Sequence, residues 1–304
     1  MVTARLASAA VVVIGVTFLV FLLLHLVPGD PVEVMLGEHA APADRAALRE
    51  ALGLNRPLPA QWLDFMSGIV RLDLGRSLAS GEPVGALVAA HFGMTALLAA
   101  SGLAVAVVSG VPLGVLAALA RGRAWDTMSG MLAVLGMSVP NFVLGPLLML
   151  VFAVLLGWFP IGGAEDASSL VLPALTLGLS LAAVLARMTR AALLDVLDAP
   201  FVLAARARGL SRTRVVLVHA LGNAALPIVT TLGLQLGAVL GGAVVTEAVF
   251  GWPGLGLLAV DSIHRRDYPV VQACVLLIAL VYVVVNTLTD LACAWLDPRG
   301  GASG

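Results

Sequence analysis

The sequence predicts an all-α polytopic membrane protein with six transmembrane helices. Two features of its composition support this prediction: 60% of the residues are hydrophobic and only 12% are charged, with a mean hydropathy of +1.04. An ordinary soluble domain carries about 25% charged residues, so this chain is too apolar to cover a soluble surface. In addition, several apolar runs are long enough to cross a bilayer core at ~1.5 Å of helical rise per residue.

Charge and cysteine usage exclude several classes of protein. The net charge of -1 argues against a nucleic-acid partner. All seventeen basic residues are Arg, and a P-loop requires a Lys on the phosphates, so the chain is not itself a conventional P-loop ATPase. Cys274 and Cys293 lie nineteen residues apart in one apolar run, roughly 28 Å along a helix, which is too far for a disulfide. Because they also lack metal-ligand spacing, we expect apolar packing and no metal site.

The first predicted span lies in residues 1–27, where positions 6–27 are almost entirely apolar. A signal peptide would have a shorter apolar region followed by a small-residue cleavage site, so we expect a retained helix. Residues 28–91 form a polar insert punctuated by proline, which we expect outside the cytoplasm. Two short amphipathic helices are predicted within it, over 42–52 and 61–70.

Residues 92–296 form the predicted transmembrane core, which holds five further spans. The second span contains Gly110 and Pro112, which are expected to interrupt it, and the third contains Ser138-Val139-Pro140-Asn141 near its middle. Proline within a membrane helix frees a backbone carbonyl, so a kink is the simplest expectation there. The alternative is a kinked polar segment that faces a translocation path. The spans are predicted over 95–120, 128–156, 170–186, 224–249 and 269–295, with a turn-rich connection at 250–256.

Arginine content predicts the orientation of these spans. The short loop 158–169 contains no Arg, whereas residues 187–214 contain six. Because short cytoplasmic loops are enriched in Lys and Arg, the second segment is predicted to be cytoplasmic. Six spans then place both termini in the cytoplasm, including the tail 297–304 and the loop 196–222.

The basic stretch 201–227 is the most distinctive polar segment, reading FVLAARARGLSRTRVVLVHALGNAALP. Phe201, Ala204, Ala205 and Arg208 recur at the i, i+3, i+4 and i+7 positions, which predicts one face of a short helix. Small Ala side chains would allow another protein to approach closely.

The helix is expected to end at Gly209, which suits the left-handed position just past a helix end. Ser211 is a candidate cap for a second helix, which would run into Leu226-Pro227 and turn the chain back into the membrane. Arg206 and its neighbours can pair with acidic side chains or with lipid phosphates. From the residues alone, a protein-docking helix and an interfacial helix on anionic lipid explain this stretch equally well.

Catalytic and ion-coupling signals are weak. The chain has no H-E-x-x-H motif and no Ser/His pair deep in two spans, so no catalytic residue is predicted. An ion-coupled carrier should bury several ionisable groups in mid-span, and only Glu247 and Asp290 come close. We expect a pairing or capping role for both, with a channel or carrier as a distant alternative.

The stretch Ala204-Ala205-Arg206-Ala207-Arg208-Gly209, followed by Asn223-Ala224-Ala225-Leu226-Pro227, resembles the cytoplasmic signature of binding-protein-dependent ABC transporter permeases. Nearly end to end, the chain is similar to the first permease of the dipeptide/oligopeptide/nickel branch. The other matching motifs follow the order of that branch: Val27-Pro28-Gly29-Asp30-Pro31, Leu52-Gly53-Leu54-Asn55-Arg56-Pro57-Leu58, Asp73-Leu74-Gly75-Arg76-Ser77, Ser138-Val139-Pro140-Asn141-Phe142, Trp252-Pro253-Gly254-Leu255-Gly256, Arg266-Asp267-Tyr268-Pro269-Val270 and Leu296-Asp297-Pro298-Arg299.

One departure from that branch lies just before the Ala-rich helix. The branch has an acid and an aromatic residue there, whereas Asp198-Ala199-Pro200 precedes Phe201 in this chain. Because a proline preorganises a helix start, we expect a shifted cap and an intact interface.

The resemblance implies a permease subunit of an ATP-driven importer in the bacterial inner membrane. Such a subunit pairs with a second homologous permease, two ABC ATPases and an extracytoplasmic solute-binding protein, and works by alternating access. ATP would be used by the ATPases, and no cofactor would be bound by this chain. The implied solute is a di- or oligopeptide, with nickel or another metal chelate as the alternative.

The resemblance also implies two sets of functional residues. Those expected to couple to the ATPase are Phe201, Ala204, Ala205, Arg206, Arg208, Gly209, Leu226 and Pro227. Those expected to line the translocation path are Ser138, Pro140, Asn141 and Gln235.

Overall fold

The structure, a computed structural model, describes residues 11–22, 31–36 and 41–296, and their regular elements are all helical. The predicted all-α class is therefore confirmed. Parts of the predicted first span and the tail 297–304 lie outside the described residues. The described chain forms two compact units. Unit 1 contains the residues up to Thr95 together with Pro253–Val283, and unit 2 contains Ala96–Trp252 together with the residues from Val284 onward.

Fourteen α-helices are described, and we number them in chain order. They are α1 (Val11–Leu22), α2 (Pro31–Leu36), α3 (Pro42–Ala51), α4 (Leu58–Val70), α5 (Val84–Leu119), α6 (Ala124–Ser138), α7 (Asn141–Leu148), α8 (Val171–Leu197), α9 (Pro200–Ala207), α10 (Arg212–Arg214), α11 (Leu221–Asn223), α12 (Ala225–Phe250), α13 (Leu255–His264) and α14 (Tyr268–Leu296). The chain also forms a 3₁₀ turn at Ala167–Leu170 and π-helical segments at Met149–Leu155 and Val215–Ala220.

The two short helices predicted in the insert are present as α3 and α4. Each has a proline in its first turn, where the missing N–H leaves no hydrogen bond unmade. For this reason α4 begins at Leu58, three residues before the predicted start at Gln61.

Helix α5 differs from the predicted second span in both its start and its continuity. It begins at Val84, inside the stretch assigned to the insert, and runs for 36 residues through Pro112. The predicted interruption is wrong. Gly110 has a packing role instead, because a Cβ at this position would lie 2.7 Å from the carbonyl oxygen of Ala182.

The third predicted span is broken more sharply than a kink. Two helical segments, Ala124–Ser138 and Asn141–Leu155, meet at 104°. Val139 is extended, as expected for a residue before proline, and Pro140 is the N-cap of α7. The Val-Pro pair therefore ends one helix and starts another.

The remaining helices bear on the predicted number of spans. Three helices are long and apolar enough to cross a membrane, or up to six spans if each of three bent pairs counts as one. The predicted count of six thus stays a prediction. Helices α12 and α14 match the predicted fifth and sixth spans closely, whereas α8 continues past Ala186 to Leu197. Helix α13 was missed, because Gly254 starts a helix where a turn-rich connection was predicted.

Unit 1 has a core formed by the start of α5, by α13 and by the first half of α14. The apolar side chains that meet there include Val84, Leu255, Val270 and Cys274, all almost fully buried. The burial of Cys274 agrees with the apolar packing predicted for the cysteines, whereas Cys293 is half-buried and its sulfur lies 3.3 Å from the Thr230 hydroxyl.

Unit 2 is built around α8, which is in contact with α6, α7 and α12. Its core near the end of α8 includes Val115, Leu185, Leu193, Val216 and Ile228. Helix α8 therefore connects the broken third span with the segment that follows α9.

Candidate functional site

Helix α9 starts at the proline that departs from the related branch. Ala199 is its N-cap, with an extended backbone (φ -72, ψ 146), and Pro200 occupies the first turn. No side chain caps this helix end. Proline needs no partner for an N–H, so Pro200 starts the helix as expected from Asp198-Ala199-Pro200.

Gly209 ends α9 in the left-handed conformation that the sequence predicted, with φ +79. Its N–H donates to the carbonyl oxygen of Arg206 at 2.9 Å, and the N–H of Leu210 donates to that of Ala205 at 3.4 Å. These two bonds form a Schellman motif. The predicted cap is also confirmed, because the Ser211 hydroxyl accepts from the N–H of Arg214 at 3.4 Å.

The two faces of α9 differ from the predicted arrangement. Val202 and Ala205 are buried against Val215, so Ala205 belongs to the inner side, although it lies one turn after the exposed Phe201. The outer side presents Leu203 with Ala204 and Ala207, all exposed, and we call these three residues the outer ridge. Phe201, Arg206 and Arg208 are also exposed and lie to either side of it.

Sequence reasoning missed Leu203 and Ala207. The signal that identifies them is the pair Val202 and Ala205, three residues apart, which marks the buried side of a short helix. The residues opposite that pair must then face outward.

Leu226 and Pro227 lie in the first turn of α12, away from the outer ridge in sequence and on a different helix. The helical segments Arg212–Asn223 and Ala225–Gly237 are bent by 57° at this point. The predicted change of direction before Leu226-Pro227 is therefore present, and both side chains are half-buried.

Asn141, a predicted path residue, lies between α8 and α12. Its Oδ1 accepts from the Ser180 hydroxyl of α8 at 2.7 Å. Its Nδ2 lies 3.2 Å from where a Cβ on Gly242 of α12 would be. Asn141 therefore joins three helices, and Ser180 is a polar partner that sequence reasoning missed.

Gln235 is buried in α12, and neither polar atom of its side-chain amide has a hydrogen-bond partner among the described residues. It lies two turns of helix before Gly242, on the same face. Ser138 and Pro140 are exposed instead, and the Ser138 hydroxyl donates to the Val134 carbonyl of its own helix at 2.8 Å. Asn141 thus packs near the face of α12 that also carries Gln235, whereas Ser138 and Pro140 are exposed.

A partly buried ion pair fixes the start of α6 to α8. Asp126 accepts from Nε and Nη2 of Arg190 at 2.6 and 2.9 Å, and from the N–H of Gly122 at 3.0 Å. Two parallel bonds of this kind set the orientation of both side chains. An exposed pair, Arg121 with Asp198 at 3.1 Å, lies just before α9.

Comparison with known families identifies this arrangement. Residues 110–300 match the family described as binding-protein-dependent transport system inner membrane component, and residues 1–99 match the N-terminal family of the same transport systems. The chain belongs to this family. It is an ABC transporter permease of the peptide/nickel type, as the resemblance in its motifs predicted.

Two relatives match the permease over nearly all of its length. It is 45% identical to the glutathione transport system permease protein GsiC of Pectobacterium atrosepticum over 295 residues, which is 97% of this chain and 96% of the relative. It is also 45% identical to the GsiC protein of Escherichia coli strain K12 over 283 residues, covering 93% of this chain and 92% of the relative.

Solved structures share the fold of the permease. An inward-facing MetNI methionine ABC transporter aligns with a TM-score of 0.58 and 23% identity, covering 69% of this chain and 96% of the other. An amino acid ABC transporter aligns with a TM-score of 0.51 and 19% identity, over 70% of this chain and 94% of the other. The permease is therefore a multi-pass inner-membrane subunit of an ABC importer and is not itself an enzyme.

Proposed function

We propose that this permease imports short peptides of about the size of glutathione and forms one half of their path across the membrane. The proposal is supported by relatives named as glutathione transport permeases that match nearly the whole chain. It narrows the di- or oligopeptide class predicted from the motifs. Import of nickel or another metal chelate by the same architecture is the alternative, and an ion-coupled carrier or channel is a distant one.

The partners in this proposal are a second homologous permease, two ABC ATPases that hydrolyse ATP, and an extracytoplasmic binding protein. Both termini and α9 would lie in the cytoplasm, which is supported by the Arg-rich residues 187–214 and the Arg-free loop 158–169. Polar residues 28–91 would then lie on the side of the binding protein.

The observation that carries the proposed coupling to an ATPase is the structure of α9, with one buried side and one exposed side. Its inner side is held by Val202 and Ala205, while the outer ridge leaves a small-residue surface open for another protein. The Schellman motif at Gly209 and the cap at Ser211 fix both ends of the connection to α10. A push or pull on α9 would be transmitted to the packed Val215 and on towards α12.

Asn141 and Gln235 are the residues we propose for the path. When helices separate during alternating access, the Gln235 amide can offer one donor and one acceptor to a peptide group without breaking a bond within the chain. Asn141 has its Oδ1 occupied by Ser180, so it would position the break in the third span and contribute its Nδ2.

Transport by the whole assembly tests the solute. The permease would be reconstituted in proteoliposomes with its second permease, ATPases and binding protein, and uptake of labelled glutathione, a dipeptide and Ni²⁺ would be compared. We expect ATP-dependent uptake of peptides. Uptake of Ni²⁺ alone would support the alternative, and flux through the permease without ATPases would support a carrier or channel.

Gly209 tests the coupling role of α9. We expect Gly209→Val to lower ATP-dependent uptake by roughly 5- to 30-fold, because an L-residue in the left-handed region costs roughly 1–2 kcal/mol and α9 would end differently. No atom of the described residues lies within 4 Å of the Cβ position, so a clash with them does not explain such a loss.

Two variants control for strain at Gly209. Gly209→Asn should keep most of the uptake, because Asn tolerates the left-handed region. Gly157→Val places the same strain at another open glycine, with φ +65, and should leave uptake and membrane levels nearly unchanged. Full uptake by Gly209→Val at normal membrane levels would refute the coupling role.

A further inference from the structure

A groove in unit 2 lies where α5 ends and α6 begins. It has a volume of ≈ 570 Å³. Besides α5 and α6, it is lined by residues that follow α9 in the chain, among them Arg212 and Leu217. Leu113, Leu116 and Leu217 line its apolar part, and Leu116 and Leu217 are more than half exposed. Arg123, Trp125 and Arg212 lie at the end where α5 stops. We call it the arginine groove.

Its two arginines lack the acidic partners that neighbouring arginines have. Arg121 pairs with Asp198 and Arg190 pairs with Asp126, whereas neither Arg123 nor Arg212 forms an ion pair within the described part of the chain. Nη2 of Arg212 donates to the carbonyl oxygen of Leu119 at 3.3 Å, which holds its guanidinium at the end of α5.

Among the described residues, no acidic side chain lines the groove. The nearest carboxylate in sequence, Asp126, is occupied by Arg190 and by the N–H of Gly122. Two guanidinium groups thus bring positive charge to one end of an apolar groove, and no described residue that lines the groove neutralises this charge.

The groove has charged side chains at one end and apolar side chains along its length. This arrangement matches the polar headgroup and the apolar chains of an amphiphile. Over residues 113–120, α5 rises roughly 10 Å, which separates the arginines from Leu113 by about the depth of a headgroup and the first acyl carbons. Trp125 is 69% exposed beside the arginines, where interfacial tryptophan is typical. Guanidinium groups bind phosphate with two parallel hydrogen bonds, and basic pockets between membrane helices bind anionic headgroups.

We propose that the arginine groove binds one anionic phospholipid, with its phosphate between Arg123 and Arg212 and its acyl chains along Leu113, Leu116 and Leu217. Charge selects this occupant over a zwitterionic lipid, because the residues described around the groove offer two cations and no anion. Arg212 directly follows the cap Ser211, so the bound lipid would also hold the segment that connects α9 to α12.

Lipid binding to the full-length permease tests the proposal. Native mass spectrometry would measure retention of phosphatidylglycerol, cardiolipin and phosphatidylcholine with matched acyl chains. We expect the two anionic lipids to be retained in preference to phosphatidylcholine. Arg123→Gln with Arg212→Gln should weaken retention by roughly tenfold for each guanidinium removed.

Matched variants separate lost binding from lost folding. Arg71→Gln with Arg265→Gln removes the same charge from exposed positions of unit 1 and should retain anionic lipid as the wild type does. Arg123→Lys with Arg212→Lys keeps the charge and should recover part of the binding. Failure of the Lys pair to bind better than the Gln pair would overturn the proposal.

Two further outcomes would also overturn it. Equal retention of phosphatidylcholine and phosphatidylglycerol by the wild type would show that the groove does not select charge. Displacement of the lipid when the ATPases and the second permease are added would show that the groove is a protein interface. Retention of the lipid in that assembly, together with a rise in ATP-dependent uptake when phosphatidylglycerol is added, would support the proposal.

Discussion

Unit 1 joins its segments through side chains that bond to backbone groups far away in sequence, whereas in unit 2 helix backbones approach one another directly. In unit 1, the buried Asp267 accepts from the Ser77 hydroxyl and from the N–H groups of Leu78 and Ala79 at 3.0 and 3.3 Å. The hydroxyl of Thr95 accepts from the N–H of Leu255 at 2.7 Å.

Between helices α5 and α8 of unit 2, glycine takes the place of such bonds. A Cβ on Gly114 would lie 2.5 Å from the carbonyl oxygen of Ala186, and one on Gly178 would lie 2.6 Å from that of Gly102. Helices α5 and α8 are therefore as close as small residues allow, which is the packing that membrane helices favour.

This difference between the two units follows from whether the backbone N–H groups already have partners within a helix. Irregular segments and helix starts have N–H groups without helical partners, and once buried these need an acceptor from a side chain. Residues 77–79 and the first turn of α13 are such places. Within α5 and α8 the backbone bonds are already made, so contact area is what remains to hold the helices together.

Gly114 offers the largest test of this comparison. Gly114→Leu forces a side chain against Ala186 and Thr189 on a rigid neighbouring helix, and we expect a loss of about 3 kcal/mol or more. The level of monodisperse protein extracted from membranes should fall severely. Gly93→Leu is the control on the same helix, because no atom in the described part of the chain lies within 4 Å of its Cβ position. Equal yields of the two variants would contradict direct backbone packing in unit 2.

Asp267 offers the next test, in unit 1. Asp267→Ala leaves three buried or half-buried donors without their acceptor, at a cost of about 1–3 kcal/mol. We expect faster hydrogen exchange and protease cleavage within residues 73–83, with exchange in α8 unchanged. Asp73→Ala is the control in the same segment, because it removes only an exposed bond to the N–H of Gly75. Faster exchange in α8 would show that the hydrogen bonds of Asp267 stabilise more of the chain than unit 1.

Local signals predicted the parts of the structure that depend on neighbouring residues. Gly209 and Ser211 could be assigned from their positions because a cap involves only a few residues of one segment. The Val-Pro pair at 139–140 showed that the third span is irregular. The bend angle of 104° between its two helical segments, however, depends on the helices that each segment packs against.

Features that depend on packing between residues far apart in sequence could not be predicted. From its neighbours in sequence, Gly110 looks like a helix interruption. Only its closeness to the carbonyl oxygen of Ala182 shows that it is a packing position between helices. The inner side of α9 is selected by Val215, and the partner of Asp126 lies 64 residues away at Arg190. The burial of Ala205 was therefore not predicted, and the ion pair was missed.

Two buried threonines give the smallest and most direct comparison of the units. Thr95→Val keeps the shape of the side chain but removes the acceptor for the N–H of Leu255, which should cost about 1 kcal/mol, as the loss of a helix cap does. Thr246→Val removes only a bond to the Gly242 carbonyl of its own helix, which keeps its backbone donor. Its cost should be close to zero.

Thermal unfolding of the two threonine variants in detergent distinguishes these cases, because about 1 kcal/mol lowers the Tm of a chain of this size by roughly 2–4 °C. Thr95 is 6% exposed and Thr246 is 1% exposed, so burial alone would predict at least as large an effect at Thr246. A larger drop for Thr246→Val would mean that side-chain bonds matter as much in unit 2 as in unit 1. A drop for Thr95→Val alone would mean that the decisive quantity is whether the backbone group has another partner.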